Sequence, residues 1–170
     1  MGVRGVPKAT PVPPGGLDAL MQSSTIKHLL FAAESGDAAA QFNLGVLYDS
    51  RLDDNGYAIE GNRAEAMKWL RAAAEQGLPR AQSKLAEMYT GSRATPEDFI
   101  HACAWFLLAT TSLRGIHRHR ARSGYARISS HLTPTQLARA KRLARDWRPK
   151  KPNNSDRVRL PEMSSEEPMQ

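Results

Sequence analysis

Apolar residues in the middle of the chain recur at spacings of three and four, and no segment sustains a two-residue alternation. Spacings of three and four stack side chains on one face of a helix, whereas alternation lines one face of a strand, so the pattern predicts helices throughout. The punctuation agrees. Thr95-Pro96-Glu97-Asp98 reads as an N-cap, a first-turn proline and an acidic first turn, and Thr133-Pro134-Thr135-Gln136 has the same form. Asn62 with Glu65 reads as a further cap and its partner, while Gly36 and Gly77 stand where helices close in a left-handed residue. The predicted helices cover 18–34, 38–49, 62–76, 79–90, 96–111, 116–131 and 134–148.

The helices repeat. Laying residues 32–50 over 73–91 matches eight of nineteen positions, with Tyr48 falling on Tyr89 at a step of 41. Residues 66–74 overlie 102–110 at a step of 36, bringing Ala66, Trp69 and Ala73 onto Ala102, Trp105 and Ala109. The two steps differ by five residues, which fall in the loop between Tyr48 and Asn62. The unit is a helix pair of about 36 residues, a period at which repeats stack into solenoids. Ala40, Leu44, Gly45 and Tyr48 form one stripe, and Ala81, Leu85, Ala86 and Tyr89 the next. Small residues let helices approach closely, and the leucine, tyrosine and tryptophan are expected to fill the remaining space.

The pattern AxxxLGxxY, a loop, then AxxWxxxAAxxG resembles the Sel-1-like repeat family, relatives of the tetratricopeptide repeats. Ala40, Leu44, Gly45, Tyr48, Ala66, Trp69, Ala73, Ala74 and Gly77 carry it, and Ala81, Leu85, Tyr89, Ala102, Trp105 and Ala109 repeat it. Residues 132–147 also resemble the terminal helix of bacterial members. Ala86 departs from the pattern's glycine, and the third repeat dissolves into an arginine-rich helix. The resemblance implies an all-α fold: a short right-handed α-α solenoid of two clear helix pairs and a degenerate one, closed by a C-terminal capping helix. It implies an adaptor that holds another protein in a bacterial cytoplasm, without bond chemistry.

Composition bounds this picture. Residues 1–16 hold four prolines and four glycines, and 149–170 are polar and proline-broken. Neither stretch has the apolar surface to offset the entropy of ordering, so 1–16 and 149–170 are expected to be disordered tails around a repeat domain at 17–148. Cys103 is the one cysteine, which excludes an internal disulfide and a multi-thiolate zinc site. There is no run of eighteen apolar residues and no signal-peptide pattern, so a cytoplasmic protein without a membrane partner is expected. The net charge of +7 is unevenly spread: residues 17–60 hold two positive and seven negative side chains, residues 113–151 twelve and one. Such asymmetry bears on association rather than fold.

Three surfaces are candidates for function. First helices of stacked pairs line a concave face, a common binding surface of solenoids. With Leu44, Gly45 and Tyr48 assigned to the core, Phe42, Asn43, Val46 and Asp49 are expected on that face, with Ser83, Lys84, Glu87 and Thr90 as their equivalents. Each also reads as an ordinary solvated position. The basic rear is the second: Arg118, Arg122 and Tyr125 on one side of a helix, with Arg139 and Arg142 on the last, suit a nucleic acid or other polyanion, Tyr125 stacking on a base. They equally suit the polar outer face of a capping helix. The acidic front (Asp49, Asp53, Asp54) of a second copy is another partner for this rear, in a weak head-to-tail contact. The third is the loop at 51–61, where Tyr57 and Ile59 either form a small knob or fold back on the adjacent helices. Cys103, beside Ala102 and Trp105, reads as a small buried residue, and His117 and His119 are thrown to opposite flanks of a helix. HExxH, a phosphate loop and a Ser-His-Asp order are all missing, so no catalytic, metal or cofactor site is expected.

Overall fold

A computed structural model describes residues 24–49, 63–91 and 93–151. Among the described residues there are seven helices and no strand: α1 Ser24–Glu34, α2 Ala38–Asp49, α3 Arg63–Glu75, α4 Pro79–Tyr89, α5 Pro96–Ser112, α6 Gly115–Ser129 and α7 Pro134–Asp146. Asn62, the loop at 51–61 and the outer segments 1–23 and 152–170 lie outside the described residues.

The turns that end α1 and α3 are built alike. Gly36 and Gly77 both adopt φ 93°, a left-handed conformation that a side chain opposes. Around each, paired backbone bonds close the helix: Gly36 N–H donates to Ala33 at 3.1 Å and Asp37 N–H to Ala32 at 3.0 Å, while Gly77 N–H donates to Ala74 at 3.0 Å and Leu78 N–H to Ala73 at 3.2 Å. A buried glutamine then ties each first helix to the helix before it. Gln41 Nε2 donates to the Ala33 carbonyl at 3.0 Å, and Gln82 Nε2 to the Ala74 carbonyl at 3.3 Å. Gln76 Nε2 links the two units by donating to Gln41 Oε1 at 2.8 Å.

Each helix packs on the next from α1 to α6, and the chain is an all-α solenoid. The last helix breaks the rhythm: α7 packs on α5, with little direct contact to α6. Glu97 and Arg139 join α5 to α7 through two 2.7 Å hydrogen bonds, and Trp147 meets Trp105 edge-on at 6.2 Å between ring centres. Ala140 and Ala144 are buried on the inner face of α7, with Leu137 beside them on the core. The chain then turns back: Lys150 N–H donates to the Glu75 carbonyl at 2.7 Å, and its ammonium pairs with the Glu75 carboxylate at 2.8 Å.

Three apolar clusters run along the solenoid, around Leu44, around Leu70 with Leu85, and around Phe106 with Ile100. Tyr48, Tyr89 and Trp105 each touch two of them and so join the units. The sequence assigned the centres of the second helices to Trp69 and Trp105. Both are only half-buried, and the fully enclosed residues are their neighbours Leu70 and Phe106. The indoles are too large to fit between alanine-lined helices and lie along the seam instead. The Trp69 indole N–H is buried with no acceptor among the described residues. Close approach explains the glycine in the first stripe: a Cβ on Gly45 would lie 2.6 Å from Leu70 Cγ.

Candidate partner-binding groove

Phe42 and Val46 lie one turn apart on α2, and Ser83, Lys84 and Glu87 form a stripe on α4. These five, anticipated for one face, line a single cavity of about 260 Å3. Leu113, His117 and Arg120 supply its far wall, so the first helices of three successive units, α2, α4 and α6, surround one concavity. Phe42 is half-buried against the Leu70 cluster, and the Arg80 guanidinium lies over its ring at 5.1 Å. The apolar floor is thus packed directly on the core below it.

The remaining three expected groove residues stand apart. Asp49 pairs with Lys84 at 2.6 Å, so it fixes a groove cation and does not line the cavity. Thr90 donates its hydroxyl to the Glu87 carbonyl at 2.7 Å and so closes its own helix. Asn43 is exposed and outside the cavity. Arg80, Leu113, His117 and Arg120 line the same cavity without having been anticipated. Arg80 was accessible to sequence reasoning, since it precedes Ser83 and Lys84 by three and four residues on one helical face. The residues from α6 were not, because their place depends on how the third unit stacks. A second hollow of about 450 Å3 continues the concavity between α4 and α6, with Glu87, Arg120 and Arg127 on its walls.

The basic rear is not one surface. Arg118 and Arg122 share a shallow hollow on α6 with His119, whereas Arg139 and Arg142 share another with Glu97, between α5 and α7. Arg139 is engaged by Glu97 through both of its terminal nitrogens. Tyr125 is partly buried against the Phe106 cluster, and burial raises its phenol pKa. The position at 125 follows Gly124, whose backbone sits against the Phe106 ring and draws this side of the helix into the core.

Cys103 is fully enclosed, and burial pushes its thiol up to about 11, with Lys141 opposing weakly. A thiol so placed carries almost no thiolate at neutral pH. Among the described residues, no group of three or more His, Cys, Asp or Glu is arranged to hold a metal ion. No helix there is long and apolar enough to cross a membrane.

Comparison with known proteins matches this geometry. The Sel1 repeat family matches residues 38–78 and 79–111, dividing the chain at the turn between α3 and α4. Residues 38–111 are two Sel1 repeats. The matched repeats are the pairs α2–α3 and α4–α5, and the arginine-rich α6 lies beyond them. Among solved structures, this chain resembles c5321, a protective antigen present in uropathogenic Escherichia coli strains and displaying an SLR fold. The TM-score is 0.56 and the identity 31%, over 78% of this chain and 28% of that one. Among curated proteins, F-box protein At1g70590 of Arabidopsis thaliana is 46% identical over 55 residues, 32% of this chain and 14% of that protein. The chain thus spans less than a third of either relative. Sel1 repeats commonly form scaffolds for protein–protein interaction.

Proposed function

We propose that this protein is a non-enzymatic adaptor that holds a partner protein or peptide in the groove between α2, α4 and α6. The reading rests on one observation: Phe42, Val46, Ser83, Lys84 and Glu87 line a single cavity whose walls come from three successive units. The core fixes these helices before any partner arrives, so the ordering cost falls mainly on the ligand. Phe42 is the anchor, a large ring with an apolar face and a cation above it. Lys84 and Glu87 set polar specificity at the rim.

The test replaces Phe42, Lys84 and Glu87 together by alanine in the full chain. All three side chains are at least partly exposed, so the helical circular dichroism is expected to stay unchanged while partner capture is lost. Capture that survives in the folded triple variant sinks the groove as the site.

Polyanion binding is the second reading. It rests on Arg118 and Arg122, exposed in one hollow and without a carboxylate in salt-bridge range among the described residues. Arg139, held by Glu97, and the partly buried Tyr125 weaken it.

A further inference from the structure

We propose that the groove selects an acidic peptide segment of a partner protein, placing its carboxylates on Arg80, Arg120 and Arg127 and an apolar side chain on Phe42. This deepens the groove reading and rests on it. The argument is a count of charges by their partners. Lys84 is already neutralised by Asp49 at 2.6 Å. Arg80, Arg120 and Arg127 are exposed, and none has a carboxylate within salt-bridge distance among the described residues. Among the described residues, the carboxylate that lines the concavity is Glu87, which borders both hollows. Three guanidinium groups therefore face one carboxylate across a concave surface whose low-dielectric walls focus their field. Guanidinium forks bind carboxylates in pairs of parallel hydrogen bonds.

The floor decides which anion fits. Phe42, Val46 and Leu113 give the cavity apolar area next to the cations. A ligand that alternates carboxylates with an apolar side chain satisfies both. A phosphate backbone satisfies only the cations and leaves the apolar floor uncovered, and Tyr125 of α6 is partly buried against the Phe106 cluster. The cations call for an anion, and the apolar floor beside them favours an acidic peptide over a nucleic acid.

The experiment selects displayed random dodecapeptides on the immobilised full chain at near-physiological salt. The expected result is enrichment of net-acidic sequences that carry an apolar residue. A synthetic peptide of the enriched consensus is then expected to lose at least tenfold in affinity on changing its Glu to Gln, and likewise against R80Q/R120Q/R127Q. A control, R118Q/R122Q/R142Q, removes the same charge away from the groove and is expected to bind as the parent does. Enrichment of neutral or basic peptides, or of none, overturns the proposal, and so does equal loss in the control. A single-stranded RNA that displaces the peptide and depends on Arg118 and Arg122 overturns it as well. The sequence of this chain also holds carboxylates at Glu162, Glu166 and Glu167, and the experiment tests them as a rival source. If E162Q/E166Q/E167Q tightens peptide binding tenfold, the groove belongs to that segment and the partner assignment fails. Neutral peptides lost with the Phe42, Lys84 and Glu87 triple variant would leave the groove reading intact and only the acidic preference wrong. Peptides that survive both groove variants remove both.

Discussion

Gly124 faces the ring of Phe106 so closely that a Cβ there would lie 2.5 Å from Cζ and 2.6 Å from Cε1. The ring is 1% exposed and packed among buried neighbours, so it must shift to admit a methyl group. Alanine gains about 1 kcal/mol of helix propensity over glycine. Overpacking a core typically costs about 1–3 kcal/mol. Enclosure of the ring tips the balance, and Gly124→Ala is expected to lower the urea midpoint by an amount equivalent to about 1 kcal/mol. Adding Phe106→Leu is expected to recover part of that loss; an unchanged or raised midpoint in the single variant contradicts the close contact. Gly45 plays the same part against Leu70. Residue identity was legible where spacing alone decides it, as in the buried alanines at 40, 66, 73, 81, 102 and 109. It was not legible in choosing between adjacent large residues. Trp69 or Leu70, and Trp105 or Phe106, differ by one step around the helix. Only the space between packed helices shows that the smaller member of each pair goes inside.

At the scale of the element, the helices were legible because their ends carry chemistry as well as periodicity. Thr95 accepts a hydrogen bond from Asp98 N–H at 3.2 Å, and the Asp98 carboxylate accepts from Thr95 N–H at 2.8 Å and from the Thr95 hydroxyl at 2.7 Å. Thr133 and Gln136 form the same reciprocal pair on α7. The Thr95 side chain, then its backbone, holds the Asp98 carboxyl below its ordinary 3.8. A lowered folded-state pKa means that this contribution is full above the unfolded value and fades as pH falls through the folded one. Thr95→Ala is therefore expected to cost about 1 kcal/mol near neutral pH. The gap between variant and parent, measured by urea unfolding, is expected to narrow as pH drops below 3.8. A gap independent of pH would mean that the carboxylate takes no part in the cap. What the sequence did not disclose is the course of α7, which packs on α5 instead of pairing with α6. Its basic, alanine-spaced face suits either neighbour. The choice follows from Trp147 against Trp105 and Arg139 against Glu97, contacts at sequence separations of 42 that no local pattern reveals.

For the whole molecule, repetition made the solenoid readable, because two copies with both aromatics in register leave little choice of fold. The groove was half-readable. Its α2 and α4 walls follow from the stripe opposite the core, while its α6 wall, with His117 and Arg120, follows only from stacking of the irregular third unit. The uneven charge also becomes local. Some of the cations are consumed by Glu97, Glu75 and Asp49, and part of the surplus on α4 and α6 looks into the concavity.

Site-specific photo-cross-linking in cells tests the central claim most directly. A benzophenone side chain is placed at Ser83, inside the groove, or at Arg122, on the outer hollow of α6. The expected result is a discrete protein cross-linked from position 83, resistant to nuclease and absent when Phe42, Lys84 and Glu87 are replaced. Cross-links that form only from position 122, and that nuclease digests, would contradict the account and move the function to the arginines of α6.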